Sequence, residues 1–185
     1  MTNVEKALEE FGNAVSKDAK RKLKALGKDA SGRLSKSMNY YVKGHQNSFT
    51  FSLEMEDYGK FVDKGVKGIG GERKKKNAKG QKTWKKKKVV SSSPFSYKEG
   101  IQNKPSRKHF DQWTIRKAIA PRSKGGQFQK RRGLLFAIAT SVYHTGLETT
   151  YFLTAPFEKY FRDLPDDLTE AYALDVEQFL EHTLK

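Results

Sequence analysis

The chain has 185 residues, 36% hydrophobic and 31% charged, with 37 Lys/Arg against 21 Asp/Glu for a formal net charge of +16. Twelve Phe and eight Tyr can furnish a core, while the lack of cysteine excludes disulfides and thiolate metal sites, and four scattered histidines offer no ligand spacing. No apolar run approaches the roughly 18–20 residues of a membrane span and the N-terminus enters a charged helix pattern directly, so a soluble, unexported protein of one domain is expected.

Thr2, Asn3, Val4 and Glu5 have the spacing of a capping box, after which Val4, Ala7, Leu8, Phe11, Ala14, Val15, Ala19, Leu23 and Leu26 recur at helical intervals. This predicts a long amphipathic helix stopped at Gly27. A short helix over 31–37 follows, with Ser31 as its cap and Leu34 pointing inward. Between Met38 and Glu56 the period changes to two, since Phe49, Phe51, Leu53 and Met55 alternate with Thr50, Ser52, Glu54 and Glu56. A β-hairpin is predicted there, turning over Gly44 to Ser48. The run Tyr58-Gly59-Lys60-Phe61-Val62-Asp63-Lys64-Gly65 fits a turn of helix or a brief strand.

Residues 66–133 hold 22 Lys/Arg against Glu72, Glu99 and Asp111, a net +19, so the remainder of the chain is slightly acidic. The runs Arg73-Lys74-Lys75-Lys76 and Lys85-Lys86-Lys87-Lys88, with Arg131-Arg132 at the far end, mark a surface for a polyanion or for an acidic protein surface. Like charges at this density repel, and 66–93 is expected to be extended or disordered when alone. Phe110, Trp113, Ile115, Ala118 and Ile119 predict a short helix near 110–119 closed by Pro121, with a second basic loop over 122–133. Trp84, Phe95, Tyr97, Phe110, Trp113 and Phe128 interleave with the charge. They can stack on exposed bases, but duplex DNA offers no free base faces, so anchoring of the segment to its own domain or to a neighbour is the preferred reading.

From Leu134 the apolar stripe of Leu135, Ile138, Ala139 and Val142 predicts a helix stopped at Thr145-Gly146, and 147–153 reads as extended. Asp167 to Leu184 predicts a long acidic C-terminal helix. The expected fold class is α+β: long N- and C-terminal helices packed on a small, mostly antiparallel sheet. One domain is expected from 1–65 and 134–185, with 66–133 as a long basic insertion, extended or loop-rich apart from its short helix.

Catalytic, cofactor-binding and metal-binding residues are assigned to none of these positions. His45, His109, His144 and His182 have no acid or serine partner at motif spacing. Glu54, Glu56, Asp57 and Asp63 resemble a nuclease's metal cluster only in composition, because Glu54 and Glu56 fall on the polar face of a strand. Gly68, Gly70 and Gly71 precede no helix opening with Lys-Ser/Thr, so no phosphate-binding loop is read there.

Three motifs occur in an order that resembles the phage neck and tail-completion (head-to-tail joining) proteins, the gene-10-like tail components of lambdoid phages. They are Gly32-Arg33-Leu34 with Ser35 and Ser37, the run Tyr58 to Gly65 with Phe61, Asp63 and Gly65, and Phe152-Leu153-Thr154-Ala155-Pro156-Phe157 with Phe152 and Ala155. The resemblance covers 1–65 and 134–185; the family usually has a much shorter connection where this chain has 66–133. It implies a non-enzymatic virion component made in the host cytoplasm, a homo-oligomeric ring of six or twelve copies at the head–tail junction that meets portal or adaptor and tail proteins. Packaged double-stranded DNA would pass through that ring. Asp63 would cap a turn or meet a neighbouring subunit. The other readings the residues allow are a nucleic-acid-binding protein of ribosomal style and a metal-dependent nuclease.

Overall fold

The computed structural model describes residues 2–45, 48–76, 82–86, 89, 93–123, 125–128 and 130–183. Its elements in chain order are α1 (Asn3–Ala25), α2 (Arg33–Ser37), β1 (Asn39–His45), β2 (Ser48–Glu54), α3 (Gly59–Lys64), β3 (Val66–Lys67), β4 (Glu72–Lys76) and β5 (Lys82–Lys86). A 3-10 turn at Ile101–Asn103 then leads to α4 (Arg107–Arg116), α5 (Arg131–Thr145), β6 (Gly146–Leu147), α6 (Thr154–Phe161) and α7 (Leu164–Thr183). The fold is α+β with long terminal helices, as expected. Among the described residues the strands form three separate two-stranded antiparallel ribbons, β1–β2, β3–β6 and β4–β5. No helix among the described residues is long and apolar enough to cross a membrane.

The chain divides into two compact units, 1–59 with 151–185, and 60–150. The joints fall outside the expected 65/66 and 133/134, and hydrogen bonds across the second unit explain why. Thr150 donates from its backbone N–H to the Asp63 carbonyl at 3.0 Å and from Oγ1 to the Val62 carbonyl at 2.7 Å, while β3 pairs with β6. These bonds tie α3 and α5 to the basic segment.

In the first unit the capping box forms: Thr2 Oγ1 accepts from Glu5 N–H at 3.1 Å and Glu5 Oε2 accepts from Thr2 N–H at 3.0 Å. Val4, Leu8, Phe11, Val15, Ala19 and Leu23 are buried along one stripe of α1, as the periodicity predicts. Two clasps set α6 and α7 antiparallel to that helix. Tyr160 donates its hydroxyl to Asp18 at 2.8 Å, and Asp175 accepts the backbone N–H groups of Asn3 and Val4 at 2.8 and 3.1 Å. Asp175 thus satisfies two donors that a helix start leaves open, and the attraction of a carboxylate to a helix N-terminus adds to it. Phe51 and Phe157 close on Phe11 edge-on, at 5.2 and 5.5 Å between ring centroids. The β1–β2 hairpin lies on α1 through Gly12, where Tyr40 and Phe51 take the space a side chain would fill.

Several boundaries move. Gly32, with φ +70°, takes the N-cap position of α2, and Ser31 Oγ, expected as the cap, accepts from the Arg33 N–H at 3.4 Å. The β1–β2 ladder runs through His45 and resumes at Ser48, so the turn is narrower than Gly44 to Ser48. Helix α6 was not expected: the stretch 147–153 read as extended, yet pairing stops at Leu147 and a helix opens at Thr154. Pro156 sits in its first turn, where its missing N–H has no intrahelical acceptor to lose.

In the second unit, Gly65 (φ +72°) and Gly146 (φ +89°) allow two backbone segments to pass in contact. A side chain on Gly65 would meet the Leu147 carbonyl, one on Gly68 the His144 carbonyl, and one on Gly146 the Val66 carbonyl. Tyr143 is buried beneath this crossing and donates its hydroxyl to the Gly100 carbonyl at 2.8 Å. The helix predicted near 110–119 spans Arg107–Arg116, capped by Ser106 Oγ. It ends through Ala118 at φ 52°, before Pro121 is reached.

Candidate polyanion-binding surface

Charge separates by unit just as it does by the expected insertion. Residues 60–150 carry 24 Lys/Arg against Asp63, Glu72, Glu99, Asp111 and Glu148, a net +19, and the other unit carries 13 against 16, a net −3. Part of the basic stretch expected to be unstructured is a hairpin: Arg73 lies opposite Lys85, Lys74 opposite Trp84 and Glu72 opposite Lys86. Repulsion between solvated, salt-screened charges is weak, so basic runs do not forbid such pairing. Lys75, Lys76 and Lys86 share this ribbon; Lys87 and Lys88 lie outside the described residues.

Arg131 and Arg132, expected in a loop, open α5, and their roles diverge. The Arg131 guanidinium donates to Asp111 Oδ1 at 2.7 Å, to the Asp111 carbonyl at 3.1 Å and to Thr114 Oγ1 at 3.1 Å, while fully buried Thr114 donates to that same carbonyl at 2.8 Å. This network holds α4 against α5, so Arg131 is a structural cation whose charge Asp111 offsets. Arg132 is exposed, as are Arg107, Lys108, Arg116, Lys117 and Lys130. These exposed cations can bind phosphates without reading sequence, and binding of that kind weakens steeply as salt rises.

Of the interleaved aromatics, Phe95 and Tyr97 pack on other rings of this unit, while Trp113 and Phe128 are exposed. Phe95 meets Phe61 edge-on at 4.8 Å and Tyr97 meets Tyr143 at 5.9 Å, and burial pushes the Tyr97 hydroxyl's pKa up. Two further cations rest on rings that sequence spacing did not link to them. Arg122 lies over Phe128 at 4.3 Å, and Lys104 lies over Phe136 at 4.1 Å while donating to Thr140 Oγ1. Only the fold brings these pairs together, because their partners come from opposite ends of a loop or from different elements.

The motif residues are scaffold residues. Leu34 and Phe152 are fully buried, Asp63 is buried, and Gly32 and Gly65 hold left-handed backbone. Phe61 packs on Phe95, and Ala155 donates its N–H to the Tyr151 carbonyl at 3.3 Å in the first turn of α6. Arg33 stays at the surface, paired with Glu56 at 3.2 Å. Glu54 and Asp57 are exposed, and among the described residues no three His, Asp or Glu side chains gather as a metal site. His144 Nδ1 is bonded to the Gly70 carbonyl at 2.6 Å, a structural contact. Comparison with protein-family models, curated proteins and solved structures finds no match for this chain.

Proposed function

We propose that the chain is a non-enzymatic structural protein of the head–tail junction of a tailed bacteriophage, a neck or tail-completion ring that joins portal to tail and lets DNA pass. The observation that carries this reading is where the motifs fall. The residues shared with the neck and tail-completion pattern occupy joints of the scaffold: Leu34 buried against Gly59, Asp63 and Gly65 where β3 crosses β6, and Phe152 before α6. A ring repeats each surface by symmetry, so the +19 unit on every subunit becomes a collar of charge suited to DNA or to an acidic neighbouring ring. The protein then belongs in the virion, after synthesis in the host cytoplasm, with six or twelve copies between portal or adaptor and tail proteins. Interrupting the gene should leave DNA-filled heads and free tails that fail to join; normally joined, infectious particles lacking the chain would overturn the proposal.

One observation favours a second reading, a nucleic-acid-binding protein: the charge is gathered in one compact unit. That reading requires tight RNA binding by the isolated chain with steep salt dependence, and it fails if the chain binds RNA no better than duplex DNA.

A further inference from the structure

The last three turns of α7 carry an apolar stripe that the first unit's core does not use. Asp175 caps the start of α1, so α7 continues past that point beyond the first turn of the helix on which it packs. Tyr172, Val176 and Leu180 recur every four residues and therefore share a face; they are 65%, 39% and 51% exposed. At its inner end the stripe runs into an open groove of about 690 Å³ whose lining is largely apolar, Val4, Leu8, Phe51, Leu168 and exposed Phe49 with Tyr172, and includes His45 and Ser48. A contiguous apolar surface of this kind marks an interaction site.

Charge identifies the occupant. Helix α7 carries Asp166, Asp167, Glu170, Asp175, Glu177 and Glu181 and no Lys or Arg. A phosphate backbone is repelled by such a helix, and two copies meeting through the same face would bring Glu177 and Glu181 of one against those of the other. The complement is present on the chain itself: unit 60–150, at +19, exposes Trp113 one turn from Arg116 on α4 and Phe136 one turn from Arg132 on α5.

We propose that the Tyr172–Val176–Leu180 face of α7 docks on the α4–α5 face of the basic unit of a second copy. The contact joins two different surfaces, so it is head-to-tail, each copy retains one unused half of each kind, and assembly proceeds to a closed ring or a filament. The inference rests on the ring reading above and names the surfaces through which the ring forms. Apolar side chains at the centre supply affinity, and the charged margins supply orientation and salt dependence.

The test is sedimentation of the full chain across a wide concentration range at about 50 mM and about 500 mM salt, where screening lengths differ more than threefold. The unaltered chain should self-associate in a concentration-dependent manner and more weakly at high salt. Val176→Gln with Leu180→Gln, both surface changes to a good helix former, should weaken association roughly tenfold or more at unchanged far-ultraviolet circular dichroism. Glu177→Lys with Glu181→Lys should weaken it too, as should Arg107→Glu with Arg116→Glu and Arg132→Glu, and mixing these two charge-reversed chains should restore pairing. A chain that stays monomeric at every concentration, or that associates only when duplex DNA is added, overturns the proposal. Rings that persist unchanged in the Val176/Leu180 variant overturn the docking surface and leave the ring reading standing. A chain that is monomeric both alone and in joined particles overturns the ring reading itself.

Discussion

Replacing Gly12 with alanine separates two opposed effects at the joint between α1 and the hairpin. In an exposed helix interior alanine is better than glycine by roughly 1 kcal/mol. At Gly12 the added methyl would come within 2.5 and 2.7 Å of Tyr40 Cδ2 and Cγ and 2.8 Å of Phe51 Cε2, distances at which the rings must move. Neither ring moves alone, because Phe51 also meets Phe11 edge-on at 5.2 Å and stacks on Tyr40 at 6.2 Å. Overpacking of this kind costs about 1–3 kcal/mol, rising toward the upper end where the neighbours are rigid rings, so the net effect is a loss of about 1–2 kcal/mol. Urea unfolding followed by far-ultraviolet circular dichroism should show a lower midpoint at unchanged slope, and Phe51→Leu in the Gly12→Ala background should recover part of the loss. A Gly12→Ala chain as stable as the parent, or more stable by the propensity difference, would refute the close packing of α1 on the hairpin.

Four further outcomes follow from the same contacts. The Tyr160 hydroxyl, then Arg21 and Lys159, hold Asp18 below the ordinary carboxylate pKa, and the Asn3 and Val4 N–H groups do the same for Asp175. Both groups bind a proton more readily when unfolded, so their stabilisation is present above the unfolded pKa and is lost as pH falls through the folded one; the melting temperature should drop below about pH 4, and an Asp18→Asn, Asp175→Asn chain with an unchanged acid response would contradict this. Tyr160→Phe, which removes the hydroxyl bonded to Asp18, should lower stability by about 1 kcal/mol in urea, and an unchanged midpoint would sink the clasp. Gly65→Ala and Gly126→Ala share left-handed backbone but differ in space, since a methyl at Gly65 meets backbone atoms at 2.5 and 2.8 Å and one at Gly126 meets nothing within 4 Å. Melting should show about 1–2 kcal/mol lost at Gly126 and clearly more at Gly65, and equal losses would argue against the β3–β6 crossing. Deleting 60–150 behind a short Gly/Ser linker should leave a cooperatively melting helical unit, whereas non-cooperative melting would refute the unit boundary.

The terminal helices were legible because their signals are local: a capping box, an apolar stripe at helical period and, for α7, an acidic composition. Leu34 and the hairpin's alternation were legible for the same reason. The unit boundary was not, because it depends on Thr150 reaching Val62 and Asp63 and on glycine crossings between segments far apart in sequence. Thr149, Thr150, Tyr151 and Phe152 favour strands, yet among the described residues they join no strand and lead into α6, which their pattern does not announce. The β4–β5 ribbon was hidden by its charge density, and Arg131 read as a free cation since its partner Asp111 lies on another helix.

An averaged electron-microscopy image of the joined particle addresses the central claim most directly. The account predicts a closed ring of this chain between portal and tail, six or twelve subunits round a channel wide enough for duplex DNA. A head–tail junction fully accounted for by other proteins, with this chain found only as monomers along DNA, would contradict it.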